Sequence, residues 1–367
     1  MAIPVQDARG VFTRQIVARW NELSEIAPKN FLRSLFGKTT TDSKEVSIEV
    51  MRGSEKVAVD VLRGSGGNRN TFSKSSEKTF VPPFFDEYFD MTEIDKYDLI
   101  FGQAAMQVTE QTVTSVIAAA LEKTNILRNK IERRYELQAS QVLTTGIVEL
   151  VSGDNIDFKR KAASMVLNSP AEYWKVSTVD PRVQLRAGAD FLRATGKATD
   201  GLFKVILGAN ALSDLFSNPF IVNEKVKDIS LIDLKMPEAD AMGGVYHGRI
   251  SAGPYKFDLW SYPEVYDDPD TGVSTHYIDE NYMIMVPNTS GKFIFAFAGV
   301  PMIVQDLANA QFPQFITQVA TDYALYNHLD TYKKAHLFGV MSAGVPIPVS
   351  VDRIYSRKVT GTEVVGG

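Results

Sequence analysis

Residues 103–143 place the strongest constraint on the fold. Val113, Ile117, Ala120, Leu121, Thr124, Leu127, Ile131, Tyr135, Gln138 and Val142 step by three and four. No Gly or Pro interrupts them, and Gly146 follows as a stop. A helix of ~40 residues runs ~60 Å at 1.5 Å per residue, longer than a compact domain needs. It has one apolar stripe and no sustained heptads, so it reads as a spine lying along a sheet and not as a coiled coil. Its charges Arg128, Lys130, Arg133 and Arg134, with Glu132 and Glu136 beside them, read most simply as a solvated face. A contact to another subunit or to backbone phosphate is the alternative.

Ahead of the spine the chain is extended. Val11, Phe12, Ile16, Val17 and Trp20 suggest a short amphipathic helix. Phe31-Leu32 and Leu35-Phe36 then form two apolar pairs before a polar stop at 37–43. This opening segment either lies on the core or packs on another subunit. Residues 44–51 alternate with period 2 at Val46, Ile48 and Val50, and 57–62 repeat the pattern at Val57, Val59 and Val61. A run of turn formers covers 63–70, and 74–81 is extended again, closed by Pro82-Pro83. Residues 55–82 therefore read as a two-stranded projection with a glycine-rich tip. From 56 to 82 it carries Lys56, Arg63, Arg69, Lys74 and Lys78 against Asp60 and Glu77, a net of +3. An isolated ribbon is marginal in water, so it needs a surface, on this chain or on another copy.

Beyond the spine, 147–151 reads as a strand, 159–167 and 183–195 as helices, 203–207 as a strand and 210–217 as a short helix. Strands are expected at 244–251, 256–262, 282–286 and 292–297, and the tail 315–351 is strand-like, with Val345-Pro-Ile-Pro-Val barring a helix.

The search for chemistry is negative. The chain's 367 residues contain no Cys, which removes disulfides, cysteine zinc sites, iron–sulfur clusters and thiol nucleophiles. Gly64-Ser65-Gly66-Gly67 lies between strand patterns and lacks the Lys-Ser/Thr ending of a phosphate loop. The stretch Asp267 to Gly272 resembles part of a calcium loop, but the closing Glu is absent, Asp279 standing in its place. A charged turn between Tyr266 and Tyr277 fits better. His247, His276, His328 and His336 show no metal-ligand spacing, and no Gly-x-Ser-x-Gly elbow occurs. The net charge of −5 argues against a dedicated nucleic-acid reader. It does not argue against a chain that encloses nucleic acid. No apolar run reaches the ~20 residues of a bilayer span and no secretory signal is visible at the first residues, so a soluble chain with no membrane partner is expected.

An arm, a basic ribbon, an overlong helix, an inserted α+β segment and a returning β tail make an order that resembles the lambda-type major capsid proteins of tailed bacteriophages. The residues that carry the likeness are Phe31-Leu32-Arg33-Ser34-Leu35-Phe36, the strand Lys44 to Met51, and Val59 to Asn68 leading through Phe72 to Phe80-Val81-Pro82-Pro83. The likeness is sharp over about 31–92, and further on it rests on element order and on a weaker match around Asp330 to Val349.

The resemblance implies an α+β chain with the Hong Kong 97 capsid fold. Residues 1–43 would be the N-terminal arm and 44–92 the extended loop with its flanking strands. Residues 93–185 would be the peripheral domain with spine helix 103–143, 186–310 the axial domain, and 311–367 the return to the peripheral domain and the tail. The implied role is structural and not enzymatic, and no cofactor or metal is expected. Copies would assemble as hexamers and pentamers into an icosahedral shell around double-stranded DNA, which is contacted only non-specifically. Decoration, scaffolding, protease and portal proteins are the possible partners, with assembly in the host cytoplasm and residence in the virion capsid. An encapsulin-like compartment shell, a tail or baseplate protein, and a hydrolase with an unrecognised site are the alternatives.

The residues themselves suggest how copies would dock. The basic ribbon (Lys56, Arg63, Arg69, Lys74, Lys78) would lie over an acidic surface of a neighbour. One candidate surface is Asp86, Glu87, Asp90, Glu93, Asp95 and Asp98; the other is the 254–280 cluster that includes Asp267, Asp268 and Asp270.

Overall fold

The long helix α1 runs from Glu110 to Thr144, ~52 Å at 1.5 Å per residue. It stops as its sequence dictates. Gly146 adopts φ +76°, and the N–H groups of Thr145 and Gly146 both donate to the Gln141 carbonyl at 2.9 and 3.0 Å. The structure, a computed structural model, describes residues 5–6, 29–50, 76–92, 110–150, 155–226, 232–268, 271–289, 291–305, 314–330 and 335–361. The expected helix at 11–20, the ribbon tip at 63–70 and the first residues of the expected spine, 103–109, lie outside them.

Ahead of α1 come the strands β1 (Val5–Gln6), β2 (Gly37–Thr40), β3 (Val46–Val50), β4 (Ser76–Phe80) and β5 (Phe84–Thr92). After it come β6 (Ile147–Val148), β7 (Ile156–Asp157), β8 (Met165–Leu167), helix α2 (Pro181–Ala194), β9 (Leu202–Leu207), α3 (Ala209–Ser217) and α4 (Pro219–Val226). The rest is strand: β10 (Ile232–Ala239), β11 (Val245–Ala252), β12 (Tyr255–Ser261), β13 (Val265–Asp267), β14 (Ser274–His276), β15 (Tyr282–Pro287), β16 (Phe293–Phe297), β17 (Val300–Gln305), β18 (Gln314–Val319), β19 (Ala324–Asp330), β20 (Ala335–Pro348) and β21 (Tyr355–Lys358).

Two large sheets organise most of these strands, and four two-stranded pairs hold the rest. In the first, the fourteen-residue β20 is the axis. It pairs antiparallel with β19, with β5 from Ala335↔Thr92 to Ala343↔Phe84, and with β16 from Phe297↔Gly344 to Phe293↔Pro348. Phe85, Phe295, Phe297 and Val340 from this sheet pack with Tyr135, Ala139 and Val142 of α1. The spine therefore does lie along a sheet, because its apolar stripe at three-four spacing matches the alternate positions that the strands turn inward.

The second sheet has the order β10-β11-β12-β9-β15-β21-β8. Register alternation gives it two apolar faces. Phe203, Val205 and Leu207 of β9, with Phe257, Leu259, Met283 and Met285, pack under Leu185, Ala189 and Leu192 of α2 and Ala211 and Leu215 of α3. Ile206, Ile284 and the partly buried Trp260 turn the other way, into the core that contains α1. The sheet takes strands from 165–167 and 355–358, either side of the expected axial segment 186–310, while β16 within that segment pairs in the first sheet.

Several local expectations need correction. Residues 159–167 are not a helix. Ala162–Ser164 makes one 3-10 turn, and Met165–Leu167 pairs in parallel with Ser356–Lys358. The strand partner decides the backbone there over local propensity. The polar stretch after Phe36 is not merely a stop: Gly37–Thr40 pairs in parallel with Ile294–Phe297. Strand β10 lay hidden because its residues 235–239 are exposed and so do not alternate.

Candidate functional site

Residues 30–36 and α1 meet in a buried polar lock. Phe31, Leu32 and Phe36 are fully or almost fully buried, each contributing about 1.5–3 kcal/mol by burial. The short 3-10 turn Arg33–Leu35 sits on α1, where the carboxylate of Glu136 accepts the N–H groups of Leu32 at 2.8 Å and Arg33 at 3.0 Å. One turn earlier, Glu132 accepts from Asn30 Nδ2 at 3.0 Å, from the Arg33 guanidinium and from the Tyr323 hydroxyl. The Arg33 guanidinium carbon lies 4.8 Å from the Phe295 ring centre and 5.4 Å from that of Tyr135, within cation–π range. Burial pushes the Glu136 carboxyl up to about 7, opposed by the two backbone N–H groups and by Arg33.

These charges correct the reading of the helix surface. Arg128, Glu132 and Glu136 are buried, whereas Lys130 and Arg133 are exposed as expected. The far end of α1 is held by a second buried cation. Arg160 donates to the carbonyls of Leu143 and Thr144 at 2.9 Å, to Ser164 at 2.9 Å, to Ile354 at 3.3 Å and to Ser356 Oγ at 3.1 Å. Burial lowers its pKa to about 9, still charged at neutral pH, and its charge faces the helix's negative end. Glu132, Glu136 and Arg160 were not singled out as structural from the sequence. The available signal was their position: 128, 132 and 136 border the apolar stripe 131, 135, 139 and 142 directly.

The candidate docking residues divide three ways. Lys56, Arg63, Arg69, Lys74, Glu93 and Asp270 lie outside the described residues. Strands β3 and β4 pair antiparallel from Val46↔Phe80 to Val50↔Ser76, which puts Lys78 opposite Ile48. Asp86, Glu87 and Asp90 fall on β5. Asp86 accepts from the Tyr326 hydroxyl at 2.7 Å, and Glu87 pairs with Lys130 at 2.8 Å. Asp90 is exposed, as are Phe84 and Tyr88 on the same alternation. The β13–β14 hairpin carries the turn at 267–272. There Asp267 accepts from Ser274 Oγ, while Asp268 accepts from the N–H of Thr271 at 2.9 Å and its hydroxyl at 3.1 Å. Asp267 and Asp268 thus brace the hairpin itself.

Among the described residues, no group of three or more His, Asp or Glu could hold a metal ion, and no helix is long and apolar enough to cross a membrane. His247 is bonded to Ser261 Oγ at 2.8 Å and His276 lies 3.3 Å from Glu280. The contacts around α1 and its partner strands are packing and anchoring contacts.

Comparison with known proteins agrees. No curated protein sequence matches the chain significantly. Among solved structures, one assigned as a prophage capsid protein of E. coli CFT073 superposes with a TM-score of 0.61 at 18% identity, covering 96% of this chain and all of that one. The mature capsid of bacteriophage PhiM1 gives 0.47 at 9% identity, covering 91% and 88%. The encapsulin SrpI of Synechococcus elongatus PCC 7942 gives 0.44 at 8%, covering 94% and 92%. The first of these shows the shared fold, the Hong Kong 97 type expected from the order of elements. The family model for phage major capsid protein E matches residues 12–317. A chain with this fold, this spine and this family match over most of its length belongs to the phage major capsid protein E family, the shell-forming structural proteins of phage heads.

Proposed function

We propose that copies of this chain assemble in the host cytoplasm into hexamers and pentamers, and that these close an icosahedral head around double-stranded DNA. The family match over 12–317 carries this reading. In it, residues 1–43 act as the arm, 44–92 as the extended loop, 93–185 and 311–367 as the peripheral domain, and 186–310 as the axial domain. The basic ribbon of one copy (Lys56, Arg63, Arg69, Lys74, Lys78) docks on the acidic strand of the next (Asp86, Glu87, Asp90, Glu93). The hairpin acids Asp267, Asp268 and Asp270 form the second candidate surface. The antiparallel pairing of β3 with β4, just ahead of β5 in the chain, supports this reading of 44–92. A portal, a scaffold, a protease and a decoration protein are the partners such a head would use, and DNA would be enclosed without sequence readout.

Negative-stain microscopy and sedimentation of the purified chain test this. Closed shells of uniform diameter are expected, and particles from infected cells should contain DNA. A small stable monomer, tubes, or shells filled with a protein cargo would overturn the reading.

A further inference from the structure

The seven-stranded sheet has two free edges among the described residues, β10 at one end and β8 at the other. They lie six strand spacings apart, ~29 Å at ~4.8 Å each. Each edge carries a large apolar side chain in solvent. Met236 on β10 is 88% exposed and Leu167 on β8 is 71% exposed. Isolated exposed apolar side chains are ordinary; a pair at opposite edges of one sheet is not yet a site.

Charge gives the second observation. Residues 232–242 hold Asp233, Glu238 and Asp240 against Lys235, a net of −2, and all four are exposed. The other edge, 165–175 with 355–361, holds Lys175, Arg357 and Lys358 against Glu172, a net of +2. Lys358 stands beside Leu167 in the parallel register of β21 and β8. The two edges are therefore opposite in charge, and each pairs its charge with an apolar knob.

The backbone says how they can meet. Between Leu234 and Glu238 the register of β10 with β11 shifts, and Pro237 within that bulge has no N–H to give. A bulge, a Pro and a Lys are the devices that stop an edge strand from adding further strands. The contact must then be made by side chains, with no continuous sheet running from copy to copy. Because the surfaces differ, it is head-to-tail, and such contacts close rings when the rotation between copies permits.

We propose that the β10 edge of one copy docks on the β8 edge of the next, Met236 seating beside Leu167 and the acids of 233–240 facing Lys175 and Lys358. This contact rests on the ring-forming reading above and names the surfaces that would make the ring.

The lack of Cys in the chain makes the test direct. Met236→Cys combined with Leu167→Cys should give, on oxidation of assembled particles with copper–phenanthroline, a ladder of covalent oligomers on a denaturing gel that collapses with reductant. Each single variant should stay monomeric. A double variant that stays monomeric within intact particles overturns the contact. Dimers from Met236→Cys alone overturn its head-to-tail sense. As a second measurement, Glu238→Lys with Asp240→Lys should cut the assembled fraction at least tenfold, and adding Lys175→Glu with Lys358→Glu should restore it. Unchanged assembly in the first of these, or no restoration in the second, again overturns the contact. If the wild-type chain forms no particles at all, the ring-forming reading falls and the contact falls with it. If it forms them, only the contact is at stake.

Discussion

At the scale of single residues, Glu136 links the seating of residues 32–33 on α1 to solution pH. Its folded carboxyl sits near 7, above the ordinary 4.5. Between those values the folded protein holds a proton that the unfolded chain has released. The stability it adds is full below about 4.5 and is lost as pH rises through 7, with a slope of up to about 1.4 kcal/mol per pH unit. Glu136→Gln removes the titration and keeps one of the two acceptor oxygens, so one of the N–H groups of Leu32 and Arg33 loses its partner at every pH. Urea unfolding of both proteins between pH 4.5 and 8 should show a steeper fall for the wild type, and parallel curves would remove Glu136 from this role. The same residue shows what a sequence conceals. A carboxylate on a helix is solvated in most proteins, and only the arrival of Leu32 and Arg33 from a hundred residues away makes burial possible at 136. Phe31, Leu32 and Phe36 were legible as apolar pairs, but whether they served this core or a neighbour's could not be read from spacing.

At the scale of elements, the end of α1 is over-determined. A Cβ on Gly146 would stand 2.4 Å from Arg160 Cδ, at a φ that other residues rarely adopt. Gly146→Ala should therefore cost about 2–4 kcal/mol, the left-handed strain plus displacement of Arg160 from its bonds. Gly201→Ala, with open space around it, should stay within about 0.5 kcal/mol. Equal midpoints for the two variants in thermal unfolding would mean that Arg160 moves aside freely. Strands β9, β11, β12, β15 and β16 were readable because half-buried or buried strands advertise themselves by alternation or by apolar runs. Strand β8 was not, because three residues, Met165–Leu167, gain their conformation from a partner at 356–358. Strand β2, Gly-Lys-Thr-Thr, has no apolar residue to betray it and depends on β16 in the same way.

At the scale of the whole molecule, charge is unevenly distributed. The chain's −5 combines a ribbon at +3 with acids gathered at 86–98 and 254–280. One exposed ion pair contributes ~0–1 kcal/mol, but a ring repeats each pair at every interface and makes the set act together. Arg63→Ala with Arg69→Ala should raise the concentration needed for assembly several-fold at low salt while leaving monomer unfolding unchanged. The gap from wild type should close towards 1 M salt, where the screening length is ~3 Å. Light scattering across a salt series measures this, and a gap that does not depend on salt would point to shape in place of charge.

The order in which the strands are made has a consequence for when the fold can close. Strand β20 is the axis of one sheet and β21 lies inside the other, between β15 and β8. Both are translated after more than 330 preceding residues. While these strands are still inside the ribosome, β5, β16 and β19 have no common partner, and β8 has no place in its sheet. Neither large sheet can therefore close until the last stretch of the chain has been made.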